Sequence, residues 1–130
     1  MIVLDASLII AQLDATDAHH HAATQLLADN TFETWAASAV TLAEVLVGPA
    51  RRGQGERVNN LLTRWGVHVV AVPHDAPVRL AALRSTTPLK LPDCCVLLAA
   101  LQHGAGVATF DNRLAEAARS QGLRVVPIPD

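Results

Sequence analysis

Four carboxylates in this sequence stand where a solvated charge has little reason to be. Asp5 interrupts the opening run MIVLDASLII, with Ile2, Val3 and Leu4 before it and Ala6, Leu8, Ile9 and Ile10 after it. Glu44 lies inside VTLAEVLVG, where Thr41 is the only other polar residue. Asp93 opens the apolar stretch DCCVLLAAL, and Asp111 follows the run VATF. Desolvating an unpaired charge costs several kcal/mol, so such positions call for a compensating partner. Carboxylates brought within a few ångströms of one another either take up protons or bind a cation. Oxygen donors without Cys or His select Mg²⁺ or Mn²⁺ over Zn²⁺, and such ions suit the hydrolysis of phosphate esters.

Each acid also has an ordinary use. Asp5 and Asp111 can cap the helices that follow them, and Asp93 can serve a helix N-terminus, where acids gain about 0.3–1 kcal/mol. Glu44, in mid-helix, has neither use open to it. Its ordinary alternative is a buried ion pair with an Arg.

The elements that must position these acids are legible from periodicity. Ile2–Leu4 reads as a buried strand and Ser7–Leu13 as a helix. Asp17 offers an N-cap for a helix through Ala22, Ala23, Leu26 and Leu27. A second strand is expected over Phe32–Ala37, and Ser38 then caps a helix from Ala39 to Val47 that Gly48-Pro49 ends. Gln54–Trp65 carries apolar residues at helical spacing, and Val67–Val72 reads as a strand. A helix follows through Val78, Leu80, Ala81 and Leu83, and after the loop TTPLKLPD another covers Asp93–His103, with Pro92 in its first turn. Val107–Phe110, Leu114–Ser120 and Leu123–Val126 complete the pattern as strand, helix and strand. Strands alternating with helices predict a single α/β domain over residues 1–130, with a mainly parallel sheet and helices on both faces. In such sheets ligands bind at the carboxyl ends of the strands, the edge to which Asp5 and Asp111 are delivered.

Composition narrows the class. The chain has 130 residues, 51% of them hydrophobic and 17% charged, a balance suited to a packed core. A net charge of −2 supplies no global field for nucleic acid. Nine of the ten cationic residues are nevertheless Arg, which suits local bidentate contacts to phosphate. The adjacent Cys94 and Cys95 cannot close a useful disulfide loop, and we expect reduced, core-filling thiols in a cytoplasmic protein. The apolar run from Cys94 to Leu101 is too short to span a membrane, and the opening run lacks the basic residues of a signal peptide.

Taken in order, MIVLDASLI, TLAEVLVG, LPDCCVLLAA and VATFDNRL resemble the PIN-domain ribonucleases. The likeness is greatest to the compact toxin half of VapBC toxin–antitoxin pairs. It covers nearly the whole chain. It implies a PIN-like three-layer α/β/α fold in which Asp5, Glu44, Asp93 and Asp111 coordinate Mg²⁺ or Mn²⁺ for endonucleolytic cleavage of RNA. It places Ser7 and Thr109 as supporting hydroxyls, two residues after the first acid and two before the fourth. It further implies a small VapB-like antitoxin, a toxin homodimer, toxin–antitoxin hetero-oligomers, and products with a 5′ phosphate and a 3′ hydroxyl. Asn112 follows Asp111 where some members carry a fifth acid.

Arg51 and Arg52, just past the Glu44 helix, and Arg113, beside Asp111, are candidate RNA contacts; the alternative is a solvated charged loop, or for Arg113 a pairing with an acid. His19, His20 and His21 are expected at the surface, since consecutive helical residues point in different directions and cannot face one ion. Leu8, Ile9, Leu13, Val45 and Leu46 are expected mainly in the core. Two other functions fit the sequence less well. An aspartyl-phosphate enzyme would need a second acid where Ser7 stands, and a catalytically weak or inactive PIN-like RNA- or protein-binding module would be favoured by loss of an acid, yet all four are present. No GxGxxG follows a strand, which disfavours dinucleotide binding.

Overall fold

The alternation of apolar runs and amphipathic stretches takes shape in a computed structural model that describes residues 1–129. In chain order the elements are β1 (Ile2–Leu4), α1 (Ala6–Leu13), α2 (His20–Asp29), β2 (Trp35–Ser38), α3 (Ala39–Arg51) and α4 (Gly55–Arg64). They continue with β3 (Val67–Val70), α5 (Ala76–Thr86), α6 (Leu91–His103), β4 (Gly106–Ala108) and α7 (Asn112–Ser120). The four strands pair in the order β3-β2-β1-β4, every pairing parallel.

Strand periodicity explains the layers. Successive strand residues point to opposite faces. Val3, Ala36 and Val107 accordingly join one core with Leu83, Leu97 and Leu114 from α5, α6 and α7. Ile2, Leu4, Ala37 and Ala108 join a second core with Leu8, Leu26, Leu42 and Leu62 from α1, α2, α3 and α4. This is the expected α/β/α sandwich. Helix α6 packs against β1, β2 and β4, with every residue from Cys94 to Ala100 buried. Cys94 and Cys95 are both free, buried thiols, as expected, and Cys94 belongs to the first core. The helix stops where Gly104 takes φ 58°, a left-handed conformation that glycine adopts without steric cost.

Several boundaries differ from the sequence expectation. Gly48-Pro49 does not end α3, which runs on to Arg51. Pro49 sits two residues before the end of the helix, so its missing N–H and the crowding of its ring against the Val45 carbonyl affect only the final turn. Strand β2 begins at Trp35 rather than Phe32, and Phe32 is 82% exposed. Strand β3 ends at Val70, short of Val72. Asp17 is not the N-cap of α2; His19 is, and the Asp17 carboxylate instead accepts the His19 N–H at 2.8 Å in the turn before it. Leu123–Val126 does not form a full strand. It contributes one parallel bridge, Val107 to Val125, through Val107 N–H to Arg124 O and Val126 N–H to Val107 O, each 2.9 Å.

Candidate active site

Asp5 follows β1 directly and occupies the N-cap position of α1, yet its side chain makes no capping bond. The carboxylate turns instead to two hydroxyls. Thr109 Oγ1 donates to Asp5 Oδ2 at 2.7 Å, and Ser7 Oγ donates to the same oxygen at 2.8 Å. Asp5 is 7% exposed and Thr109 1%, so these charge-assisted bonds lie away from competing water. Oδ1 takes no hydrogen bond from the described residues and is not sealed from solvent. One oxygen is therefore held and the other left available.

The same hydroxyls tie β1 to the end of β4. Asp111 N–H donates to Thr109 Oγ1 at 2.9 Å, and Phe110 N–H donates to Ser7 Oγ at 3.2 Å. Ser7 and Thr109, expected as supporting hydroxyls, each link the Asp5 carboxylate to the backbone that carries Asp111. Asp111 also caps α7, its Oδ1 accepting the Arg113 N–H at 2.9 Å.

Asp93 and Glu44 arrive from helices. Asp93 lies in the first turn of α6 behind Pro92, half-buried. Burial pushes its carboxyl above the ordinary range, and the charges of Asp5 and Asp111 push it further; a backbone hydrogen bond at Lys90 and the Arg113 charge pull the other way. Glu44 is exposed on α3, so the helix's run of apolar neighbours does not bury it. Partial desolvation nonetheless raises its carboxyl, reinforced by Asp5 and then Asp93. No Arg pairs with it among the described residues, which removes its ordinary alternative of a buried ion pair.

The four acids are therefore coupled by charge at one edge of the sheet. Asp5 and Asp93 each act on Glu44, and Asp5 and Asp111 each act on Asp93. Among the described residues no three His, Cys, Asp or Glu side chains close around a single point, so the arrangement is open. Its donors are all oxygen and their mutual repulsion is uncompensated by a nearby ion pair, which fits a hard divalent cation.

Of the remaining candidates, Arg51, Arg52 and Arg113 are exposed. The Arg52 guanidinium folds back toward Gly48, one turn beyond Glu44. Leu8, Ile9 and Val45 are buried, while Leu13 and Leu46 are half-buried. The histidine run departs from a plain surface tract. His20 Nδ1 donates to the Ala11 carbonyl at 2.7 Å, and the His19 ring stacks on Phe110 with centroids 4.4 Å apart and planes 12° from parallel. Sequence reasoning missed this contact, because nothing local links a histidine before α2 to a ring after β4.

Three comparisons place this arrangement. No curated protein sequence matches the chain. By structure it is similar to Mycobacterium tuberculosis VapC20, described as a Sarcin-Ricin loop cleaving toxin, with TM-score 0.78 and 21% identity over 99% of this chain and 100% of that one. It is similar also to a chain of a toxin–antitoxin complex from Klebsiella pneumoniae, with TM-score 0.73 and 27% identity over 88% of this chain and 91% of that one. FitAcB from Neisseria gonorrhoeae matches with TM-score 0.72 and 21% identity over 98% and 97% of the two chains. The PIN domain family profile matches residues 2–120, a span that holds all four acids and both hydroxyls, and the chain belongs to the PIN domain family.

Proposed function

We propose that this PIN domain is a metal-dependent endoribonuclease and the toxin of a type II toxin–antitoxin pair. The observation that carries the reading is the Asp5 carboxylate, fixed through one oxygen by Ser7 and Thr109 amid three further acids that raise or are raised by one another. Asp5, Asp93 and Asp111, with Glu44, would hold Mg²⁺ or Mn²⁺. When bound, such an ion supplies Lewis-acid stabilisation of phosphoryl oxygens and makes water more acidic. Ser7 and Thr109 keep Asp5 in one rotamer. Glu44, whose raised carboxyl brings it nearer to neutral pH, orients the attacking water and accepts its proton. Arg113, and Arg51 and Arg52 beyond Glu44, meet the RNA backbone.

The partner reading rests on the toxin–antitoxin complexes among the structural relatives and on an apolar groove of about 340 Å³. Leu8, Ile9, Leu27, Trp35, Leu62 and Trp65 line it, and a VapB-like antitoxin would find its apolar surface there. Homodimerisation and a cytoplasmic location belong to the same reading. Among the described residues no helix is long and apolar enough to cross a membrane.

The test is cleavage of RNA by the purified protein in Mn²⁺ or Mg²⁺, against EDTA and against Asp5→Asn. We expect cleavage that EDTA abolishes and that the folded Asp5→Asn protein lacks. Undiminished cleavage in EDTA would sink the metal mechanism. A folded wild-type protein that binds RNA without cutting it would leave the chain a binding module.

A further inference from the structure

The chain is poor in rings. It has two Trp, two Phe and no Tyr. Trp35 and Trp65 line the apolar groove, and Phe32 stands 82% exposed in the loop before β2. Phe110 is the exception in position, lying between Thr109 and Asp111 with its backbone N–H held by Ser7. One part of its ring packs against the core beneath α1, and another is covered by His19 at a centroid distance of 4.4 Å. His19 remains exposed despite that contact, which leaves its opposite face open to solvent.

Holding the loop before α2 does not require this stack. His20 Nδ1 already ties it to Ala11 O at 2.7 Å, His19 N–H to Asp17 at 2.8 Å, and Ala23 N–H to His19 O at 2.9 Å. The His19 ring is thus a flat, outward surface, backed by the ring of Phe110, the residue that precedes Asp111. Single-stranded RNA is gripped by surfaces of that kind, because every base presents a π-face. A ring that carries no carboxylate also suits a rim crowded with acids, where recognition by a further acid would add to the repulsion of phosphate.

We infer that the outward face of His19, backed by Phe110, is a stacking platform for one unpaired base flanking the scissile phosphate of the RNA. The inference rests on the ribonuclease reading above and adds to it a residue that positions the substrate. It makes His19 a determinant of substrate binding, with no part in the bond-breaking step.

The test compares wild type with His19→Ala, His19→Leu and His19→Phe. The probe is a synthetic pool of single-stranded RNAs about ten nucleotides long, cleaved in Mn²⁺, with kcat and KM resolved. Losing one base stack should raise KM about tenfold in His19→Ala and His19→Leu, with kcat within about twofold of wild type. His19→Phe should keep the wild-type KM or lower it. Leucine preserves bulk against Phe110 without a π-face, so it separates stacking from packing, and thermal melting checks that each variant is folded. Wild-type KM in His19→Leu overturns the platform while leaving the ribonuclease intact, whatever His19→Ala does, as does a loss confined to kcat. Absence of RNA cleavage by folded wild-type protein overturns both readings together.

Discussion

Replacing Thr109 with valine tests the linkage on which the site depends. Valine has the shape of threonine, so the buried position, 1% exposed, is filled without a cavity. What disappears is the hydroxyl that donates to Asp5 Oδ2 at 2.7 Å and accepts the Asp111 N–H at 2.9 Å. A hydrogen bond to a charged group contributes about 1.5–3 kcal/mol. Leaving the Asp111 N–H without its acceptor costs about 1 kcal/mol more, the low end for an orphaned donor, because water can reach this half-buried position. The gain from an added methyl group offsets about 0.8 kcal/mol of this. Thr109→Val should therefore destabilise the metal-free protein by about 2–3 kcal/mol, measured by urea denaturation in EDTA at neutral pH. Thr109→Ser keeps the hydroxyl and should lose only about 1 kcal/mol for the missing methyl. Ser7→Ala removes the other donor to Oδ2, so the double variant should lose more than the two single losses combined, since the carboxylate oxygen then has no donor at all. A Thr109→Val protein as stable as Thr109→Ser would refute the reasoning, because the methyl group and not the hydroxyl would then be what the site uses.

Two further outcomes follow from the same structure. The Glu44 and Asp93 carboxyls are raised in the folded chain, so each binds a proton over a pH range where the unfolded chain has already released it. Their contribution to stability is therefore present at low pH and lost as pH rises from the ordinary carboxylate range through the raised folded values. Urea midpoints of the metal-free protein between about pH 4 and pH 7 should fall less steeply, or rise more steeply, in Asp93→Asn and Glu44→Gln than in wild type; identical slopes would show that neither burial nor the neighbouring acids raise these carboxyls. Thr41 is wholly buried in α3 and its Oγ1 has no hydrogen-bond partner, so Thr41→Val should stabilise the protein by about 1 kcal/mol in thermal or urea unfolding, and a loss of stability would mean that the hydroxyl is in use.

The fold was legible wherever a local pattern determined it. Ile2–Leu4 is short, apolar and followed by a polar break, and it is a strand with those bounds. Ser38 caps α3 as its position suggests, accepting the Val40 N–H at 3.3 Å. The misplaced strand boundaries share a physical cause: the local signal was real but tertiary pairing overrode it. Phe32 has strand propensity, yet β1 is only three residues long and pairs with β2 through Trp35 and Ala36, so nothing extends the ladder back to Phe32. Leu123–Val126 is apolar enough for a strand but reaches its neighbour through a single bridge. Gly48-Pro49 is a stop signal in isolation, and α3 outruns it by only two residues, to Arg51.

The site was legible as a set of acids but not as a division of labour among them. Asp5 and Asp111 look equivalent in sequence, each ending an apolar run before a helix. Folding separates them: Asp111 spends an oxygen on capping α7, while Asp5 makes no cap and is held through Oδ2 by hydroxyls 2 and 104 positions away. That distinction depends on Thr109 and Ser7 meeting across parallel neighbours β1 and β4, a register that periodicity does not encode. Glu44 shows the converse. Its apolar company suggested burial, but consecutive residues on α3 turn through different directions, so Glu44 reaches the surface while Val45 enters the core. Exposure suits the proton-accepting role proposed for Glu44, because such a carboxyl needs access to water as well as a raised affinity for the proton.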